Sequence, residues 1–167
     1  MATILSSQLT DLYTNGKLID PVNNPLSGLA CGAGEAIVAS GHNDGDIYKL
    51  FEIPGDAVPI FFGWRNTAIT GGTAYDIGIY DAGDGGAVKD DDVFLGGQSM
   101  ASASTANIRN APVATSNPIS INTPIWELAG DTASTKKNTY VIALTADTVG
   151  TADGSIVVFV AYKFSGN

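Results

Sequence analysis

The sequence predicts an all-β protein: one β-sandwich of jelly-roll-like type, preceded by an extended N-terminal arm. Three observations carry this prediction. Short runs rich in β-branched and aromatic residues recur along the chain, turn clusters of Gly, Asn and Asp separate them, and almost no stretch shows the periodicity of an amphipathic helix. About eight such strands with frequent turns are what a two-sheet sandwich needs. Alternation alone does not separate a jelly roll from an immunoglobulin-like sandwich, so the topology stays open at this stage. No fixed-period repeat is visible, which argues against a propeller or a β-helix.

Residues 1–35 read as the arm and residues 36–167 as the sandwich. Asn15-Gly16, Asp20-Pro21, Asn23-Asn24-Pro25 and Gly32-Ala33-Gly34 break the arm so often that no strand or helix of normal length fits between them. It nevertheless carries Leu5, Leu9, Leu12, Tyr13, Leu18 and Ile19, and apolar residues on an arm need a surface. They either fold back on their own core or dock on a neighbouring subunit. If they dock, a chain lacking residues 1–19 still folds but loses its partner.

The strands follow in order. Residues 35–40 form one, the cluster Gly41-His42-Asn43-Asp44-Gly45 turns the chain, and residues 46–54 form the next. Val58, Ile60, Phe62 and Trp64 alternate with Pro59, Phe61, Gly63 and Arg65, the period-2 mark of a strand with one face in the core. Pro59 cannot donate to a ladder, so it requires an edge or a bulge there. Residues 74–80 place Tyr75, Ile77 and Ile79 on one face and Asp76, Gly78 and Tyr80 on the other, before a loop at residues 81–86. The Ala-, Ser- and Asn-rich middle suggests short strands at residues 93–95, 105–109 and 118–122. Thr123-Pro124 then opens a helical turn over Ile125 to Leu128, with Thr123 as cap and Pro124 in the first helical position. Residues 139–145 put Tyr140, Ile142 and Leu144 on one face. Residues 154–164 are apolar on both faces as far as Lys163, which places that strand centrally or at an interface, with Val157, Phe159 and Ala161 as candidates for a trimer contact.

Composition excludes several functions. The net charge is −9, and eight Lys and Arg residues spread along the chain form no basic stripe for phosphates, so nucleic acid is not an expected partner. No apolar run approaches the ~20 residues of a membrane-spanning helix. The N-terminal residues lack the pattern of a secretory signal, and the single Cys31 makes no internal disulfide, so synthesis in the cytoplasm is expected. Charged residues are only 15% of the chain against roughly 25% in typical domains, so the surface is largely Ser, Thr, Asn and Gly.

Catalytic chemistry is not indicated. His42, the only histidine, sits in a glycine-rich turn that is a poor support for a general base. No nucleophile elbow, P-loop or dinucleotide-binding pattern is present, and no cofactor is expected. The acidic stretch with Asp81, Asp84, Asp90, Asp91 and Asp92 is the one metal candidate, because calcium takes six to eight oxygens; its irregular spacing matches no calcium loop and reads first as a solvated loop. Asp44 and Asp46 favour a turn more strongly. The only glutamates, Glu35, Glu52 and Glu127, lie on separate segments. Trp64, Tyr75, Tyr80, Trp126, Tyr140 and Tyr162 read mainly as core and secondarily as a sugar-stacking surface.

The run from Ala68 through Gly71-Gly72-Thr73-Ala74-Tyr75-Asp76-Ile77-Gly78-Ile79-Tyr80 resembles small structural proteins of tailed bacteriophages. Gly85-Gly86-Ala87-Val88 with Asp92 and Phe94, Ile125-Trp126-Glu127-Leu128, residues 140–145 and Thr148-Val149-Gly150-Thr151-Ala152 extend the resemblance over roughly residues 45–160. It implies a head decoration or cement protein, a jelly-roll homotrimer that sits on the outer capsid surface at local three-fold positions and clamps major capsid subunits. It carries no catalytic motif. A head fibre or a receptor- and glycan-binding virion module is the competing reading, and a small hydrolase would require carboxylates, or His42 with a carboxylate, to converge in a pocket.

Overall fold

Apolar alternation makes strands locally, and the pairing of those strands decides the topology. The computed structural model describes residues 3–5, 29–83, 85–110, 113–114, 117–118, 123–135 and 138–164. The strands are β1 (Thr3–Leu5), β2 (Leu29–Val38), β3 (Asp46–Pro54), β4 (Ala57–Asn66), β5 (Ala74–Asp81), β6 (Val88–Gln98), β7 (Ser104–Asn110), β8 (Val113–Ala114), β9 (Asn117–Pro118), β10 (Thr139–Thr148) and β11 (Gly154–Phe164). One helical turn, α1 (Ile125–Leu128), and a 3₁₀ turn (Ala133–Thr135) precede β10.

One sheet has the order β1-β3-β10-β5-β6 and the other β2-β11-β4-β7. Successive strands β2, β3, β4 and β5 therefore switch sheets, and the late strands β10 and β11 insert between early ones. This wiring is that of a double-sheet jelly roll and resolves the topology that alternation leaves open. All pairings within the two sheets are antiparallel except that of the short β1, which runs parallel to Ile47, Tyr48 and Lys49 on the edge of the first sheet.

The core lies between the sheets. Tyr48, Leu50, Ile53, Phe62, Trp64, Tyr75, Ile77, Ile79, Phe94, Leu95, Tyr140, Ile142, Leu144, Ile156, Val158 and Val160 are all buried there. Each such side chain contributes about 1.5–3 kcal/mol by leaving water. Five of the six aromatics expected mainly in the core are buried, and Trp126 packs against it while half-exposed.

At four places the structure differs from the local reading or leaves part of it outside the described residues. β2 begins at Leu29 rather than Glu35, and the glycines taken for breaks lie inside it. Here β2 crosses β3 so closely that a Cβ on Gly34 would meet the Leu50 carbonyl oxygen at 2.7 Å, and one on Gly32 would enter the Phe51 ring. Backbone proximity, not turn formation, is what these glycines supply. At the other end of the arm, Thr3–Leu5 does form a strand. In α1, Pro124 occupies the cap position itself and no side chain caps the turn; the Pro124 carbonyl instead accepts from the Glu127 and Leu128 amides. In the predicted 118–122 strand only Pro118 lies within a strand, and residues 119–122 fall outside the described residues.

Pro59 fits the sheet as the sequence requires. It pairs with Tyr162 beside a bulge at Ile60 and lies beyond the stretch, Phe61 to Asn66, that pairs with β7. β11 runs between β2 and β4, and of its two apolar faces that of Ile156, Val158 and Val160 is turned into the core.

Candidate functional site

Three places on the surface carry the residues singled out from the sequence: the outer faces of the two sheets and the loop end near His42.

On the outer face of the five-stranded sheet, β6 folds back over β5. Ile77 pairs with Leu95 but Ile79 pairs with Asp90, so residues 91–94 are all opposite the single residue Gly78. A Cβ on Gly78 would lie 2.5 Å from Asp91 Cα and closer still to the Asp90 carbonyl oxygen, so only glycine admits the excursion. The excursion brings together carboxylate oxygens of Asp90, Asp91 and Asp92 within 4.8 Å. Asp90 is half-buried, and that burial followed by its neighbour Asp92 raises its pKa. Of the other acidic residues in the sequence cluster, Asp81 is not part of this group: it pairs with Lys89 at 3.4 Å. Asp84 lies outside the described residues.

The same face holds two groups that sequence reading missed. Asp76 is 9% exposed and accepts a hydrogen bond from the Gly97 amide at 2.5 Å. Burial pushes its pKa up to about 6, the Gly97 amide opposes the shift, and Asp147 and Asp91 reinforce it. Lys49 is buried and its Nζ donates to the Gly83 carbonyl at 2.5 Å, drawing the 81–87 loop onto the sheet. On this face Tyr80 packs with Val141, Ala143 and Ile47 and shares a hydrogen bond with Thr145 Oγ1. An isolated glycine within the β5 pattern was the one sequence signal of this close approach. At the margin, Lys89 also bonds Asp131 at 3.2 Å, and Tyr140 donates to the other Asp131 oxygen at 2.8 Å; together these hold the Asp131 carboxyl below its usual pKa.

At the loop end, His42 is half-buried rather than free in solvent. Its Nδ1 accepts from the Ala39 amide at 3.3 Å and lies 2.8 Å from the Tyr48 hydroxyl. Asp153 accepts from the Ser40 amide at 2.7 Å. The Ser40 main chain thus meets the Asp153 carboxylate, while the imidazole Nδ1 faces the Ala39 amide and the Tyr48 hydroxyl. The Ser40–Asp153 bond ties the β2–β3 turn to the β10–β11 turn. The adjoining depression, lined by Ile37, Ala39, Thr67, Ala68 and Asp153, is open and contains no second carboxylate.

The outer face of the four-stranded sheet is different in character. Val157 and Phe159, expected at a trimer contact, point outward with Ala161 and are half-exposed, while Ile156, Val158 and Val160 fill the core. Across the sheet, Cys31, Ala161 and Phe61 are level, then Ala33, Phe159 and Gly63, then Glu35, Val157 and Arg65. Ile37 at 60% and Phe61 at 43% exposure extend this apolar face. Among the described residues no tyrosine or tryptophan is exposed on either sheet, so the aromatic sugar platform is not formed by the residues the sequence nominated.

Of the apolar arm residues, Leu5 lies in β1 opposite Lys49. Leu9, Leu12, Tyr13, Leu18 and Ile19 lie outside the described residues.

Among solved structures, this chain is similar to a chain in the capsid of Ralstonia phage GP4, with a TM-score of 0.66 at 16% identity, over 99% of this chain and 100% of that one. It is also similar to a chain in the capsid asymmetric unit of cyanophage Pam1, with a TM-score of 0.52 at 16% identity, over 89% and 94% of the two chains. No protein-family model and no curated protein sequence matches this chain. At these identities the likeness is one of fold.

Proposed function

We propose that this chain is a virion structural protein of the decoration or cement type. It binds the outer surface of a phage capsid as a homotrimer at local three-fold positions and links neighbouring major capsid subunits. The observation that carries the reading is the likeness to a chain of the Ralstonia phage GP4 capsid, which covers 99% of this chain and 100% of that one. Charge and chemistry agree with it. A net charge of −9 repels packaged DNA and suits the outside of a head. Lys49 and Asp153 hold loops in place, and on this reading the work of the protein is done by contact area rather than by catalysis. Many copies acting together make modest contacts sufficient.

Co-sedimentation of the purified chain with heads that lack it, followed by imaging, tests the proposal. Saturable binding at regular three-fold sites is expected. Its absence, with the protein found at a tail or fibre tip, overturns the proposal in favour of a receptor-binding role. A chain lacking residues 1–19 is expected to stay folded and to lose head binding.

A further inference from the structure

The exposed face of the four-stranded sheet has a left-right asymmetry of charge. Glu35 on β2 and Arg65 on β4 are both exposed and flank Val157 at the same level, one on each side of β11. Neither takes part in an ion pair among the described residues. Down β11 from this level the face is apolar as far as Ala161, with Val157, Phe159 and Ala161 in line and Phe61 beside Ala161, while Ile37 stands on the other side of the charged level, opposite Ser155. Monomeric proteins seldom leave such a contiguous face to water.

We propose that this face is where copies of the chain meet, around an axis running along β11. Rotation about such an axis preserves height along the strand. The Arg65 side of one copy therefore approaches the Glu35 side of the next at the same level, and the three β11 strands bring Val157, Phe159 and Ala161 onto the axis. Each copy gives one acid and one base, so a closed ring of three satisfies every charge, as a cyclic head-to-tail interface must. The pairing also seats Phe61 of one copy beside Cys31 of its neighbour, because both are level with Ala161. The assignment rests on the three-fold association proposed above and adds its surface, its polarity and its charge partners.

A charge-swap series on the full chain tests it, read by sedimentation velocity and by the reaction rate of Cys31, the only cysteine, with a thiol reagent. The wild type is expected to sediment as a trimer with a slowly reacting Cys31. Glu35→Arg and Arg65→Glu each place like charges at all three contacts. Each should raise the half-assembly concentration by about tenfold or more and speed the thiol reaction, with an unchanged far-ultraviolet circular dichroism spectrum. The double variant should recover the trimer. An equimolar mixture of the two single variants should not, because an odd ring cannot alternate two kinds of subunit. A wild-type monomer or dimer overturns the three-fold ring. A trimer indifferent to both reversals overturns this face as its interface while leaving head binding, tested separately, intact.

Discussion

Replacing Gly78 by alanine is the sharpest test of how β6 lies on β5. The added Cβ would be 2.5 Å from Asp91 Cα and nearer still to the Asp90 carbonyl oxygen. Ordinary carbon contacts lie at roughly 3.5–4.0 Å, so a backbone shift of about an ångström is required. The obstructing atoms are main chain on both sides and cannot turn away as a side-chain tip would. The shift must lift the residues 91–94 excursion, and with it the Gly97 amide that bonds Asp76. Overpacking of this kind costs about 1–3 kcal/mol, and losing a hydrogen bond to a buried carboxylate adds about 1–2 kcal/mol. A total near 3 kcal/mol lowers the midpoint of thermal unfolding by about 6–12 °C for a chain of this size. Differential scanning calorimetry at pH 7 measures it, with Gly41→Ala as the control, since nothing lies within 4 Å of a Cβ there. A Gly78→Ala midpoint within 2 °C of that control would refute the argument that β6 backbone rests on this residue.

The Asp76 carboxyl has a pKa near 6 in the fold, above its ordinary value, so its contribution to stability is fully present in acid and is lost as pH rises through 6. Asp76→Asn keeps an acceptor for the Gly97 amide without the charge; urea titrations should find it more stable than wild type by about 2 kcal/mol at pH 7 and equal to it below pH 4. Lys49→Met removes the bond from Lys49 Nζ to the Gly83 carbonyl; a loss of about 1–3 kcal/mol is expected, with faster proteolysis within residues 81–87. Asn66 donates from its amide to the carbonyls of Thr67, Met100 and Ser102. Asn66→Ala should therefore cost about 2–3 kcal/mol in chemical unfolding, where an exposed asparagine would cost under about 0.5 kcal/mol.

Period-2 alternation made much of this fold legible, because it is a local property of the chain. β3 and β11 run over the residues that their patterns mark, and β10 extends its predicted run by three residues. The face assignments of Tyr75, Ile77 and Ile79, and of Tyr140, Ile142 and Leu144, hold for the same reason: side-chain direction in a strand follows from position. Where a second strand crosses, the pattern misleads. The glycines of β2 read as breaks because a sequence does not display the Leu50 carbonyl and Phe51 ring that press on them.

By itself, then, the sequence determined the all-β class, the acidic charge, most strand positions and the identity of the core, since each follows from composition or from neighbours along the chain. Only the tertiary structure decided that the sandwich is a jelly roll, that Lys49 and Asp76 are buried, that Asp90, Asp91 and Asp92 gather over Gly78 without Asp81, and that Glu35 and Arg65 flank Val157. Each of these depends on strands meeting across long separations, as where Val38 pairs with Gly154. Such a meeting is chosen by the packing of two whole sheets, and no window of local sequence contains it.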